Sequence, residues 1–255
     1  MQILLTNDDG PAGPGLASLR RALSALGEVT VVCPAEERSG IGHAISYRAP
    51  MEVATVRLAD GTEVRTLTGN PADCVKFALV HLYERPPDLV VSGPNLGVNT
   101  GFELFYSGTV AAAREGGFAG ITSVAVSTAI ANADRMDRVA ALAVRILNVL
   151  LKERPGRALV FNVNIPHLSD GEPDVRITRQ CLAFPRETHL RAAGPQGRLH
   201  YVLGSPEEAA APSPDSDVAA VAAGHVSITP LRADLTDQAA LEALAERLSV
   251  GARGA

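Results

Sequence analysis

The chain has 255 residues, 46% of them hydrophobic but only 4% aromatic with no Trp, so its core has to be built from Val, Leu, Ile and Ala. A formal net charge of −5 excludes a long nucleic acid as the main partner, because such binding rests on neutralising phosphates with Lys and Arg. No apolar run approaches the roughly 18 residues that cross a bilayer, which excludes a membrane partner and leaves the cytoplasm as the expected location.

QILLT (2–6) reads as a first strand, turning polar too early for a leader peptide. GLASLRRALSALG (15–27) carries the spacing of an amphipathic helix, and VTVVCP (29–34) is a second strand stopped by Pro34. Residues 47–68 alternate around Asp60-Gly61 in the manner of a hairpin. Asn70-Pro71 opens a helix with Asn as cap, Pro at its first position and Asp73 in its first turn. DLVVSG (88–93) is a buried strand, followed by a glycine-rich loop to about Tyr106 and a helix from Ser107 to about Gly116. ITSVAVST (121–128), a helix over 134–152 and ALVFNVN (158–164) complete the alternation. Continuous apolar strands separated by helices predict an α/β fold, a three-layer parallel sheet with both faces covered. Beyond Pro166 the texture changes. Segments 175–184 and 186–203 read as strands with a turn around Gly194–Gly197, 204–216 as a surface loop, 218–231 as a short helix and a strand, and 237–249 as a last helix. Cys33, Cys74 and Cys181 are odd in number and far apart, which suits buried thiols in a reducing compartment.

Ligands of an open parallel sheet bind beyond the carboxyl ends of its strands, where strand order reverses. Three loops share that edge: Asn7, Asp8, Asp9 and Gly10 after the first strand; Arg38, Ser39 and Gly40 after the second; Asn95, Gly97 and Asn99 after 88–93. Adjacent carboxylates repel unless something positive lies between them. With Ser39 and Asn95 nearby the donors are all oxygen, which selects Mg²⁺ or Mn²⁺ over Zn²⁺. In isolation Asp8 and Asp9 would be ordinary turn or cap residues, and Ser107 an ordinary cap; three loops converging on one edge favour a site. Ser107, Gly108 and Thr109 stand at a helix start, where unpaired N–H groups and the helix dipole attract phosphate, and Gly40 adds to that nest. A cation site beside an anion nest predicts phosphoryl transfer to water. His43, in SGIGHAIS, is the one histidine near these loops, as a substrate contact or simply as loop.

These residues also carry a resemblance. TNDDG (6–10), ERSGIGHAIS (37–46), GNPADCV (69–75), SGPNLGVNTG (92–101), YSGTVAAAREG (106–116) and SDVAAVAAGHVSITPL (216–231) resemble the survival protein E (SurE) family of 5′-nucleotidases, in order from Met1 to about Leu231. The resemblance implies one domain over 1–255: a Rossmann-like core to about residue 166 and an oligomerisation extension over about 167–255. It implies hydrolysis of nucleoside 5′- and 3′-monophosphates, and of short polyphosphate, with one divalent cation per subunit. By position Asp8, Asp9, Ser39 and Asn95 would be its ligands, with Asp8, Asp9 and Asn95 also catalytic. Ser39, Gly40, Asn99, Ser107, Gly108 and Thr109 would hold the substrate. A homodimer or homotetramer is implied, with 175–203 and the last helix exchanged between subunits. Two features depart from the family pattern: an Ala- and Pro-rich 204–216, and Ser216 in place of Thr. A receiver domain would need an Asp after its third strand and a Lys after its fifth; LVVSGPN and VAVSTAI supply neither. A dinucleotide oxidoreductase would need G-x-G-x-x-G where this chain has GPAGPG. The remaining alternative is a non-catalytic nucleotide-binding module.

Overall fold

Ile3, Leu4 and Leu5 are fully buried and point alternately to the two faces of a sheet, the side-chain period of a strand enclosed on both sides. In the computed structural model, which describes residues 1–58, 60–152, 158–183, 188–195, 198–204 and 211–251, they form β1 (Gln2–Thr6). The chain continues through α1 (Leu16–Leu23), β2 (Glu28–Pro34), β3 (Val53–Arg57), β4 (Glu63–Leu67), α2 (Pro71–His81) and β5 (Leu89–Leu96). Next come α3 (Glu103–Tyr106), α4 (Gly108–Phe118), β6 (Ser123–Thr128), α5 (Met136–Leu150) and β7 (Val160–Ile165). The last third holds β8 (Val175–Ile177), β9 (His189–Ala193), β10 (Leu199–Leu203), α6 (Asp217–Ala222), β11 (Val226–Leu231) and α7 (Gln238–Gly251).

Among the described residues nine strands share one sheet in the order β3-β4-β2-β1-β5-β6-β7-β11-β8. On one face Ile3 and Leu5 pack with Leu16, Leu19 and Leu23 of α1 and with the Val139, Ala143, Ile146 and Leu147 stripe of α5. On the other, Leu4 meets Val75 and Ala78 of α2 and Ala112 of α4. Each fully buried Leu or Ile contributes roughly 1.5–3 kcal/mol, so the aliphatic core holds the layers without aromatic bulk. Among the described residues no helix is long and apolar enough to cross a membrane.

The three-layer α/β architecture is as expected, but the sheet is mixed. Its centre, from β4 to β7, is parallel, while β3 runs antiparallel to β4 and β11 antiparallel to β7. The β3–β4 hairpin turns through Gly61 at φ +81°. β11 pairs parallel with β8, so the chain has already reversed between β7 and β8, whose connection over 166–174 is shorter than the dozen or so residues a parallel crossover needs. The expected strand 175–184 shortens to β8, because the Arg179 N–H turns to the carbonyl of Asp215 instead of to β11. α1 stops at Leu23, where the next turn tightens into the bonds Ala25 N–H to Ala22 and Leu26 N–H to Leu23. Residues 103–106, expected as loop, form the short α3. Residues 184, 186 and 187 of the expected strands, 196–197 of the expected turn and 205–210 of the expected loop lie outside the described residues.

β9 and β10 pair only with each other, as a separate two-stranded sheet. Asp217, at the start of α6, is fully buried and accepts from the backbone N–H groups of Gly101, Cys181 and Val218 at 2.9, 2.8 and 2.9 Å. It ties the loop after β5 to the last third of the chain. Replacing Asp217 with Ala strands three donors, two of them buried, and is expected to cost about 2–4 kcal/mol. The unfolding midpoint in urea would show it.

Candidate functional site

β1 and β5 are neighbours, yet β2 lies on the other side of β1, so strand order reverses between β1 and β5. The ends of both strands therefore open into one crevice, as the topology requires. An open cleft of about 460 Å³ lies there, with Asp8, Asp9, Ser39, Gly40, Asn95, Asn99 and Ser107 in its wall. Seven of the nine expected site residues thus converge, from three loops and one helix start. Gly108 and Thr109 do not reach the wall; they are buried.

Asp8 is buried, and its Oδ1 accepts a short hydrogen bond from the Thr109 hydroxyl. Burial pushes its carboxyl above the usual range, against the opposing pull of that bond. The first turn of α4 comes equally close: a Cβ on Gly108 would stand 3.0 Å from the Cβ of Asp8. Asp9 is half-buried, and its Oδ2 is a buried oxygen with no hydrogen-bond partner. Burial first, then the charges of Asp8 and Glu37, push its carboxyl up to about 6. Asn7 shapes the turn between them and the next helix, its Nδ2 donating to the Gly10 carbonyl at 2.8 Å.

Asn95 sits at the end of β5, past a register shift against β6 between Ser92 and Asn95. Its Nδ2 donates to the Gly97 carbonyl at 2.7 Å, which leaves Oδ1 for a ligand. Ser39 is exposed and donates to Glu37 Oε1 at 2.8 Å; Gly40 beside it is also exposed. Asn99 is locked in place. Its N–H donates to Asn164 Oδ1 (2.7 Å), its Nδ2 to Ser127 Oγ (2.8 Å), and its carbonyl accepts from Asn162 Nδ2 (2.7 Å). Ser107 caps α4, its Oγ accepting from the Val110 N–H at 3.1 Å. The Ala111 N–H makes the first helical bond, to the Ser107 carbonyl, so the Gly108 and Thr109 amides have no intrahelical partner; the Thr109 N–H is bonded to the Asp8 carboxylate.

Asp8, Asp9, Ser39 and Asn95 form an all-oxygen donor set, and the unpartnered Asp9 oxygen beside a second carboxylate is the environment a hard divalent cation fits. Among the described residues there is no group of three or more His, Cys, Asp and Glu placed to hold a metal; two of the four donors here are a serine and an asparagine. The wall also holds Glu37, Glu103, Tyr106, Leu96, Val98 and Pro14, which the sequence reading did not single out. The signal for two of them was adjacency: Glu37 lies two residues before Ser39, and Tyr106 directly precedes Ser107. His43 is not in the wall and points elsewhere.

The model of the family described as Survival protein SurE matches residues 3–187. The chain is 42% identical over 250 residues to the 5′-nucleotidase SurE of Desulforudis audaxviator, covering 96% of each chain. It is 40% identical over 239 residues to the 5′-nucleotidase SurE of Rhodopirellula baltica, covering 92% of this chain and 94% of that one. The crystal structure of the SurE protein from Aquifex aeolicus superposes with a TM-score of 0.81 at 36% identity, covering 95% of this chain and 98% of that one. The chain belongs to the survival protein SurE family.

Proposed function

We propose that the protein is a divalent-cation-dependent phosphatase that hydrolyses nucleoside 5′-monophosphates, and 3′-monophosphates and short polyphosphate as further substrates. The observation that carries this reading is the pair Asp8 and Asp9, with an orphaned carboxylate oxygen, directly against the first turn of α4. Its relatives' shared name, 5′-nucleotidase SurE, points the same way.

Asp8, Asp9, Ser39 and Asn95 would hold Mg²⁺ or Mn²⁺, and a cation bound there supplies Lewis-acid polarisation of a phosphoryl oxygen and a more acidic water. Ser107, at the positive end of the α4 dipole, and Gly40 take the remaining phosphate oxygens and face the charge that develops on them. Thr109 fixes the Asp8 carboxylate in one orientation. Asp9 or Asp8 orients or deprotonates the attacking water. Asn99, held by Ser127, Asn162 and Asn164, offers a rigid side wall to the substrate. Three free, buried cysteines fit a reducing compartment such as the cytoplasm.

Phosphate release from a panel of nucleoside monophosphates, abolished by EDTA and restored by Mg²⁺ or Mn²⁺, is the expected result. Binding without release under any cation would leave a nucleotide-binding module instead. Asp8→Ala or Asp9→Ala should lower the rate at least about a hundredfold, or about 3 kcal/mol in the barrier; near-normal turnover in either variant sinks the assignment.

The raised carboxyls make a second, activity-free prediction. A carboxyl whose folded pKa is raised stabilises the fold fully below its unfolded value and loses that contribution as pH climbs through the folded one. For Asp9 that window runs from 3.8 to about 6. Cation-free protein should therefore melt lower at pH 7.5 than at pH 5, and Asp9→Asn in EDTA should melt above the wild type at pH 7.5. Calorimetry on both proteins at both pH values checks it.

The same reading takes the protein as a homodimer or homotetramer. Leu199, Tyr201 and Leu203 on β10 are 58%, 60% and 62% exposed on a hairpin too small to be stable uncovered, and α7 exposes Leu241, Leu244 and Leu248. Light scattering should give two or four chains, and Tyr201→Asp with Leu203→Asp should lower that number.

A further inference from the structure

His43 takes no part in the cleft, yet its ring is firmly placed. Nε2 lies 2.9 Å from Oε2 of Glu115 on α4, and the ring stacks on Phe118 with centroids 5.4 Å apart and planes 7° from parallel. The other oxygen of Glu115 accepts from Lys76 Nζ of α2, also at 2.9 Å. One carboxylate, 13% exposed, therefore joins α2, α4 and the loop after β2.

That loop carries Ser39 and Gly40. Behind them the Arg38 N–H is bound to the Asp8 carbonyl at 2.8 Å. Ahead of them the Gly42 N–H is bound to the Tyr106 carbonyl at 2.8 Å, with Gly42 at φ +61° and so near the α3–α4 junction that a Cβ would come within 3.0 Å of the Phe105 carbonyl oxygen. Further on, Ser46 donates from its N–H and its hydroxyl to Asp73 of α2. Between Arg38 and Gly42, residues 39–41 make no backbone hydrogen bond to other described residues. Their position is set by the anchors on either side, and His43 is the side chain that presses the far anchor onto α4.

We infer that His43 is a positioning residue: through Glu115, itself held by Lys76, it fixes the Ser39–Gly40 turn at its working distance from the first turn of α4. The consequence for activity rests on the phosphatase reading above; the tie itself does not. Burial tends to raise the Glu115 carboxyl, but the bonds from His43 and Lys76 bring it below the usual carboxylate range, so the anchor stays charged. Asp8, Asp9 and Asn95 are carried by β1 and β5 and meet this loop through its near anchor, from Arg38 to the Asp8 carbonyl, so release of the far anchor should weaken capture of cation and phosphate more than the chemical step.

His43→Ala is compared with His43→Gln, whose amide keeps a donor near the position of Nε2. The Ala variant should raise both KM for a nucleoside monophosphate and the half-saturating Mn²⁺ concentration about tenfold, with kcat at saturation within about threefold, and Gln should restore most of the difference. In cation-free protein, amide exchange over 38–46 should quicken in the Ala variant and not in the Gln variant. Unchanged exchange in His43→Ala overturns the inference whatever the activity. So does a collapse of kcat at constant KM, which would put His43 in the chemistry itself. A wild type that releases no phosphate with Mg²⁺ or Mn²⁺ retires the phosphatase reading, and the exchange result then decides the tie alone.

Discussion

Two neighbouring carboxylates at the reversal of strand order set the terms for everything around them. β1 delivers Asp8 and Asp9 to the crevice because its parallel partners β2 and β5 lie on opposite sides of it. Burial and mutual repulsion both disfavour their charged forms. The first turn of α4 is the fold's partial answer: its dipole is positive at that end, and the Thr109 hydroxyl donates to Asp8. Asp9 receives no such donor, and its free oxygen is the unsatisfied remainder on which the proposed chemistry depends.

Around this pair the loops are fixed less by ladder hydrogen bonds than by buried side chains bonded to the main chain. Asn162 and Asn164 of β7 reach across to the backbone of Asn99, and Asp217 holds Gly101 and Cys181 together. Asp73 plays a similar part below Ser46 while also accepting from the Asn70 N–H at the start of α2. Each such bond satisfies a donor that would be costly to bury alone. Loops rich in Gly and Asn thus acquire the fixity that a site for a small ligand needs, without extra secondary structure.

Much of this was legible in the chain. The apolar runs of β1, β5, β6 and β7 leave little choice but a doubly covered parallel centre, and Asn70-Pro71 and Ser107 mark helix starts by their chemistry. The three loops carrying Asp8, Ser39 and Asn95 follow from one topological rule applied to that centre. What stayed hidden depends on contacts distant in sequence. The direction of β11, antiparallel to β7 and parallel to β8, is set by pairings between segments far apart in the chain, and the end of β8 by Asp215, some forty residues on. Thr109 reads in sequence as a phosphate contact, and the structure turns its hydroxyl toward Asp8 instead, because α4 approaches more closely than periodicity can foretell. His43 is likewise ambiguous until Glu115, 72 residues away, is seen beside it.

The bond between Thr109 and Asp8 has a consequence for how such a cleft can change over generations. It welds the carboxylate floor to the first turn of α4, so neither can be altered without disturbing the other. Glu37, Glu103 and Tyr106 stand at the opposite extreme, exposed at the mouth. Substitution is cheap at the mouth and expensive on the floor. Chains built on this plan are free to diverge in which phosphate ester they admit while the reacting centre stays the same.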